Sequence, residues 1–492
     1  MLRHYVACRV ALALFRERCP ALHMALFFLI GILFYVDLGC GIAASLLCLF
    51  EKRLLGASVL IVAGYAYTFL SCAGTADLDE VVGSALFHIN RVTKQRTHFS
   101  RRFVYEGVVR VLVESEGKRF RRLPCRFYIP VGKKRPPASR DYFLADVRLI
   151  RTGAHRFVLK KGRSVPWVPV EGSRSFAEYR FRMKERVVRY VKGKIDDRSV
   201  RSLAVGLLTG EKESLLQAFL FNRVGLGHLL AISGFHFAIL ALFLSLLLRP
   251  LFGKRTVAVI LITALSGYSL YMGRSPSISR AWIGFLFLLA GYVLDRKSVA
   301  GNALGLGLLS ASISDPYAIT HPGFMLSFFA TAGILFLYAP CERWLRKIFP
   351  KRSSEEMEGV PWRIFAGSAV AHALRKALAL NGAVTLCTLP VILFHFGVFP
   401  LIGLFYNLFF PFLFSMLIGL FLLALVLPFL FPLFVAYGGF LLDLITYTPK
   451  KWLLPFRLST VPKEGVALLS VALFVWSMYW RWKDPPIRKW HY

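Results

Sequence analysis

The sequence is short of acids: 27 Asp and Glu stand against 62 Lys and Arg, a formal charge of +35 over 492 residues. Such a surplus calls for a polyanionic partner or for anionic lipid headgroups. Paired cysteines are missing as well. The eight cysteines (Cys8, Cys19, Cys40, Cys48, Cys72, Cys125, Cys341 and Cys387) contain no CxxC, which removes zinc-ribbon and thioredoxin-type readings, and no metal or cofactor is expected. Cys40, Cys48 and Cys387 lie in apolar runs as small hydrophobes. Cys125 stands alone in the polar region, where a bridge would have to reach Cys72 or another chain. No GxxxxGK[ST] run occurs, so a driving force for any transport is expected from a partner.

Apolar sequence is what abounds. With 56% hydrophobic residues and a mean hydropathy of +0.56, the chain reads as a polytopic α-helical membrane protein. Residues 1–75 form an anchor with apolar segments near 22–37, 39–50 and 54–73, the middle one short enough for a partial span. Two further apolar segments follow the first, so it is not read as a cleavable signal. A larger membrane unit covers 201–484, and its prolines at 390, 400 and 411 predict broken or re-entrant helices over 366–428. Residues 485–492 make a short basic tail. The basic linkers Lys52-Arg53, Arg249 to Arg255, Arg296-Lys297 and Arg343 to Arg352 give mixed evidence for orientation.

The window 91–201 holds about half of all Lys and Arg and only about ten acids. Within it, residues 76–172 alternate apolar and basic positions in runs such as FVYEGVVRVLV (103–113) and RFRRLPCRFYIPV (119–131). Period-two alternation with β-branched and aromatic enrichment predicts a small antiparallel barrel or sandwich. Five-stranded barrels of this size commonly bind oligonucleotides, and aromatic interleaving favours nucleic acid over lipid alone. Candidate DNA contacts are Arg121, Arg122, Arg126, Tyr128, Lys133, Lys134, Arg135, Lys160 and Lys161. Residues 173–200 follow as a basic amphipathic linker helix. Its apolar stripe is Phe176, Tyr179, Met183, Val187 and Tyr190, suited either to a membrane surface or to docking on the membrane unit.

The run GLGHLLAISGFHFAI (225–239) places two histidines and a serine inside an apolar stretch, so those groups must face protein, water or substrate rather than lipid. On one continuous helix His228 and His236 would be separated by about 80° and roughly 12 Å, with Ser233 nearby in a polar stripe. Gly225, Gly227 and Gly234 would admit close neighbours. Downstream, Arg280 inside an apolar span is the strongest functional charge, at a cost of about 2.5–3.5 kcal/mol if it lies at mid-membrane. Arg274, nearer an interface, and Ser275 beside Pro276 predict an unwound segment able to contact phosphate. Ser327 and Asn407 complete the candidate path, with interhelical hydrogen bonding as the alternative role for each.

These motifs resemble the ComEC family of competence proteins, the inner-membrane components that pass transforming DNA into bacteria. The family's run of glycine-leucine, any residue, His-Leu-Leu-Ala-Ile-Ser-Gly, apolar, His matches residues 225–236, with Phe235 where leucine is usual. AVGLLTGEKESL (204–215), RSPSISRAWI (274–283), DPYAITHPGFMLSFFAT (315–331) and TLPVILFHFGVFPLIGLFYNLFFP (388–411) resemble its other elements, in order. The resemblance implies an OB-like identity for the inserted all-β domain, a multi-pass location in the bacterial cytoplasmic membrane, and a channel conducting one DNA strand inward. Membrane lipids, a DNA receptor, a cytoplasmic motor or single-strand-binding proteins, and a second copy of the chain are its implied partners. Many members carry a metallo-β-lactamase-like domain, but no His-x-His-x-Asp-His cluster occurs in this sequence, so neither nuclease nor other enzymatic activity is expected. Two alternatives remain open at this point. One is an intramembrane serine hydrolase using Ser233 with His236 or His228; the other is a small-anion or lipid transporter.

Overall fold

The computed structural model describes residues 10, 12–51, 53–72, 79–96, 101–114, 119–132, 135–153, 156–162, 166–211, 213–273, 275–350, 361–448, 455–457 and 462–483. Lys133, Lys134, Arg274, Cys8 and the 485–492 tail lie outside them, as do the side chains of Arg121 and Arg122.

The N-terminal anchor begins with α1 (Leu12–Arg18) and α2 (Pro20–Val36), which meet at 113°. Chain then returns through α3 (Leu38–Ser45) and a 3-10 turn (Leu46–Phe50). Buried Glu51 accepts from Arg16 at 2.5 Å and meets His23 at 2.8 Å, closing this hairpin with charge. Helix α4 (Leu54–Cys72) leads into the β domain.

Six strands follow: β1 (Glu80–Arg96), β2 (Arg101–Glu114), β3 (Arg119–Pro130), β4 (Tyr142–Gly153), β5 (Arg156–Lys161) and β6 (Val168–Pro169). Strand order β1-β2-β3-β5-β4, with β1 also pairing β4, closes five of them into an OB-like barrel. Among the described residues only the β3–β5 pair is parallel (Cys125↔Phe157). Register shifts at Leu86/Phe87 and Gly83/Ala85 bend the long β1 so that it serves both neighbours. The alternation in sequence becomes an inside and an outside: Phe87, Tyr105, Leu123, Phe127, Leu149 and Phe157 fill the core, and Trp167 packs onto it. Cys125 is part of that core, so it is available to neither Cys72 nor another chain.

Helix α5 (Ala177–Lys194) docks by a face other than its apolar stripe. Phe176, Tyr179 and Tyr190 of the apolar stripe are 76%, 63% and 42% exposed, whereas Ala177, Glu178, Phe181, Lys184 and Val191 are buried. The barrel takes Ala177 and Phe181 into its own core, so the opposite face docks.

The membrane unit comprises α6 (Arg198–Thr209), α7 (Leu215–Arg223), α8 (Gly227–Leu230), α9 (Gly234–Leu248), α10 (Lys254–Met272), α11 (Pro276–Val293), α12 (Ala300–Ser314), α13 (Pro322–Ile348), α14 (Trp362–Phe396), α15 (Ile402–Val426), α16 (Phe431–Thr446) and α17 (Lys463–Lys483). Among the described residues seven helices are long and apolar enough to cross a membrane, or eight if the bent α1–α2 pair counts as one span. Pro390 and Pro411 lie inside continuous helices; the interruption expected over 366–428 falls instead after Gly397, where Val398–Pro400 pairs with Pro455–Arg457.

Helices α9 to α14 run up and down, and contacts fix which ends coincide. Tyr67 near the end of α4 donates to Ile313 near the end of α12, and His395 near the end of α14 meets Met325 at the start of α13. At the opposite end Arg255 pairs with Asp295, and Arg375 donates to Phe349 O at 2.9 Å. Arg53, the 249–255 turn, Arg296-Lys297 and Arg343–Lys347 therefore share the end remote from the barrel. The mixed orientation signal becomes consistent once the spans are counted this way.

Candidate functional site

Beneath the barrel, three motif segments meet at one guanidinium. Arg280 lies four residues into α11, about 6 Å along the helix from its start, so it sits near the barrel-facing end and not at mid-membrane. Its Nε donates to Ser327 Oγ on α13 at 2.8 Å. Its Nη2 lies 3.3 Å from where a Cβ on Gly234 would stand, at the first turn of α9, and Gly307 of α12 packs on its stem. A side chain larger than hydrogen at Gly234 would push the guanidinium aside.

The run 225–239 is not one helix. Helix α8 ends at Leu230, Ala231 and Ser233 are extended, and α9 starts at Gly234 with Ser233 as its N-cap. His236 is buried, and its Nδ1 accepts the Ser233 backbone N–H at 3.3 Å, the return half of a capping box. The expected stripe of His228, Ser233 and His236 along a helix face is thus replaced by a break that turns the start of α9 toward Arg280. His228 sits on the short α8 and is exposed. Of the hydrolase candidates, His236 turns the nitrogen facing Ser233 to the Ser233 backbone N–H and not to its hydroxyl. His236 Nε2 is buried without a partner among the described residues.

Gly225 explains the start of the run. Its φ is +77°, and a Cβ there would come within 3.0 Å of Gly403 Cα and 3.1 Å of Pro400 Cγ. The left-handed turn and the close approach both demand glycine, and they bring the 398–403 segment against the hallmark run. Ser275 does not mark an unwound segment: it caps α11, accepting the Ile278 N–H at 3.4 Å, with Pro276 in the first turn. Asn407, on α15, has a buried Oδ1 without a partner among the described residues, and no described contact joins it to the Arg280 cluster.

On the barrel, Arg126, Tyr128 and Lys160 face outward. Arg126 meets Glu106 at 2.8 Å, and the Arg102 guanidinium lies 4.3 Å from the Tyr128 ring centre. Lys160 is exposed opposite Arg148, and Lys161 reaches the Gly162 carbonyl at 3.3 Å. The part of this face that carries Arg126 and Arg156 lies toward the bundle. Burial lowers the pKa of His321, the cap of α13, and Arg156 and Arg126 lower it further.

Arg135, another candidate DNA contact, is engaged within the protein. It forms a two-pronged pair with Glu178 at 2.9 and 3.0 Å, donates to Tyr105 Oη at 3.4 Å and lies 4.4 Å from the Phe181 ring centre. Burial alone would raise the Glu178 carboxyl, but Arg135, the Ala138 N–H and Arg182 outweigh it and bring the pKa down to about 2. This cluster fastens the barrel to α5. A second fastener, Lys184, escaped the sequence reading: it is 4% exposed and donates to Thr209 O at 2.7 Å and Met272 O at 3.3 Å, the ends of α6 and α10.

A family model described as "Competence protein" matches residues 207–483, more than half of the chain and all of the motif segments gathered here from α9 onward. The chain belongs to the ComEC family of competence proteins. It is also similar to "ComE operon protein 3" of Bacillus subtilis (strain 168), 28% identical over 137 residues. That match covers 28% of this chain and 17% of the relative. No solved structure matches. As a ComEC-family chain with seven or eight candidate spans, it is a multi-pass membrane protein.

Proposed function

We propose that this protein acts in DNA uptake during competence, as a channel of the cytoplasmic membrane through which a single strand passes inward. Membership in the competence family supports the process. The observation that carries the channel reading is the convergence of Gly234, Arg280 and Ser327 at the end of the bundle that the basic barrel face overlooks. Short basic linkers gathered at the remote end support a cytoplasmic location for that end, and hence an outward-facing barrel.

In this reading the barrel captures DNA through phosphate contacts from Lys160 and Arg126 and base stacking on Tyr128. Each phosphate entering the bundle must exchange water for donors, because a bare charge in an apolar route is prohibitively costly. Arg280 supplies a charge-assisted partner one turn below the mouth, where the first turn of α9 adds backbone N–H groups. Ser327 holds Nε, leaving the terminal nitrogens to the passing strand. The test is entry of labelled DNA into the cytoplasm of a deletion strain. Rescue by the intact gene with failure of stably expressed Arg280→Ala supports the reading; unchanged entry after deletion removes it.

A further inference from the structure

The face of α5 that the barrel and bundle leave uncovered carries more than scattered apolar residues. Phe176, Tyr179, Met183, Arg186, Tyr190 and Lys194 recur at spacings of three and four, so they lie on one side of the helix. Phe176 and Tyr179 are 76% and 63% exposed. The stripe runs between two membrane helices. Near its start Arg180 lies 3.2 Å from the Cβ position of Gly273, directly after α10, whose Leu270 is 72% exposed. Near its end the Tyr190 ring lies 6.3 Å from Phe431 at the start of α16, beside Phe429, which is 74% exposed. Both neighbours are apolar surfaces of the kind that lipid covers, and the stripe continues that surface at the barrel-facing end. Aromatic rings with Arg and Lys between them are the composition of a headgroup-level helix.

We infer that α5 is an interfacial anchor whose Phe176–Lys194 stripe rests in the outer headgroup layer and prefers anionic lipid. The helix is rooted in the barrel by Phe181 and Glu178 and in the bundle by Lys184, so lipid engagement would set how the barrel stands over the Arg280 site. The inference needs the membrane unit but not DNA transport.

The full-length protein is placed in nanodiscs of phosphatidylcholine and phosphatidylglycerol, with a photo-crosslinking phenylalanine at Phe176 or Tyr179, or at Val82 on the outer barrel face as control. Lipid adducts at 176 and 179 but not at 82, enriched in phosphatidylglycerol over its share of the bilayer, are expected. Arg186→Gln should reduce that enrichment about fivefold, the weight of one basic residue near an anionic surface. Adducts only to water, to a second copy of the chain, or to added single-stranded DNA would overturn the inference, as would lipid adducts without anionic preference in the unsubstituted protein. DNA uptake by the same variants is scored separately, so failure of the channel reading leaves this result intact.

Discussion

Replacing Glu178 tests whether Arg135 is a fastener or a DNA ligand. The carboxylate accepts four hydrogen bonds: two from Arg135 at 2.9 and 3.0 Å, one from the Ala138 N–H at 2.9 Å and one from Arg182 at 2.9 Å. Those donors, with Arg135 foremost, bring its pKa from the ordinary carboxylate range down to about 2 against the opposing effect of burial. At about 1.4 kcal/mol per unit this is of order 3 kcal/mol, and 2–3 kcal/mol is a fair discounted range because Arg182 is largely in solvent. Removing one partner of a largely buried pair costs a similar amount, since the other charge is stranded. Glu178→Gln in the full-length protein should therefore speed hydrogen exchange in the 136–141 loop and the first turns of α5 by about 30- to 150-fold. The sign with pH follows from the lowered value: the contribution is complete above the unfolded carboxyl pKa and is lost as pH falls through about 2. Measured as protection relative to the free-peptide rate at each pH, exchange in the native chain should lose protection over that window and the variant should not. A change below threefold in Glu178→Gln would refute the fastener role. Weakened DNA binding by Arg135→Gln with unchanged exchange would return Arg135 to the DNA-binding set.

Further expectations are as specific. Gly225→Ala forces a side chain into a left-handed turn 3.0 Å from Gly403 Cα, and should cost about 1–3 kcal/mol, read as reduced thermal stability in detergent; equal stability would mean the 398–403 segment does not press on the hallmark run. Lys184→Met leaves the ends of α6 and α10 without their shared donor, and should cost about 1–3 kcal/mol, seen as faster exchange in α5 with the barrel strands unaffected; protection unchanged in α5 would remove Lys184 as the junction. Lys160→Gln should lower the log–log salt slope of single-stranded DNA binding by about 0.7 without altering base preference; an unchanged slope would place the DNA elsewhere on the barrel.

The barrel was legible because its core positions obey a two-residue period, and five strands suffice to close it. What pattern alone could not give was the assignment of its cations. Arg135 looks like its neighbours in sequence, and only the return of α5, bringing Glu178 from 43 residues away, converts it into a buried partner. For α5 the periodicity was visible, but two competing faces existed, and the barrel's demand for Phe181 decided which one docks. In the membrane unit, hydropathy located most spans yet merged α8 with α9, because the extended Ala231 to Ser233 link is as apolar as the helices it separates. Arg280 and Ser327 were both singled out from motifs; their contact across 47 residues depends on helix packing that no local pattern encodes. Orientation became consistent only when short helices such as α12 were counted as returns of the chain.

The most direct measurement is the rate of labelled DNA entry supported by Arg280→Lys and Arg280→Gln, each matched for expression and for protection of α9 and α11 in exchange experiments. If a cation beneath the barrel handles the passing phosphates, Lys should retain a substantial part of the rate and Gln should lose at least tenfold, the counterpart of about 1.4 kcal/mol or more of lost phosphate stabilisation. Equal, near-native rates for Gln and Lys would contradict a strand path through the Gly234–Arg280–Ser327 cluster.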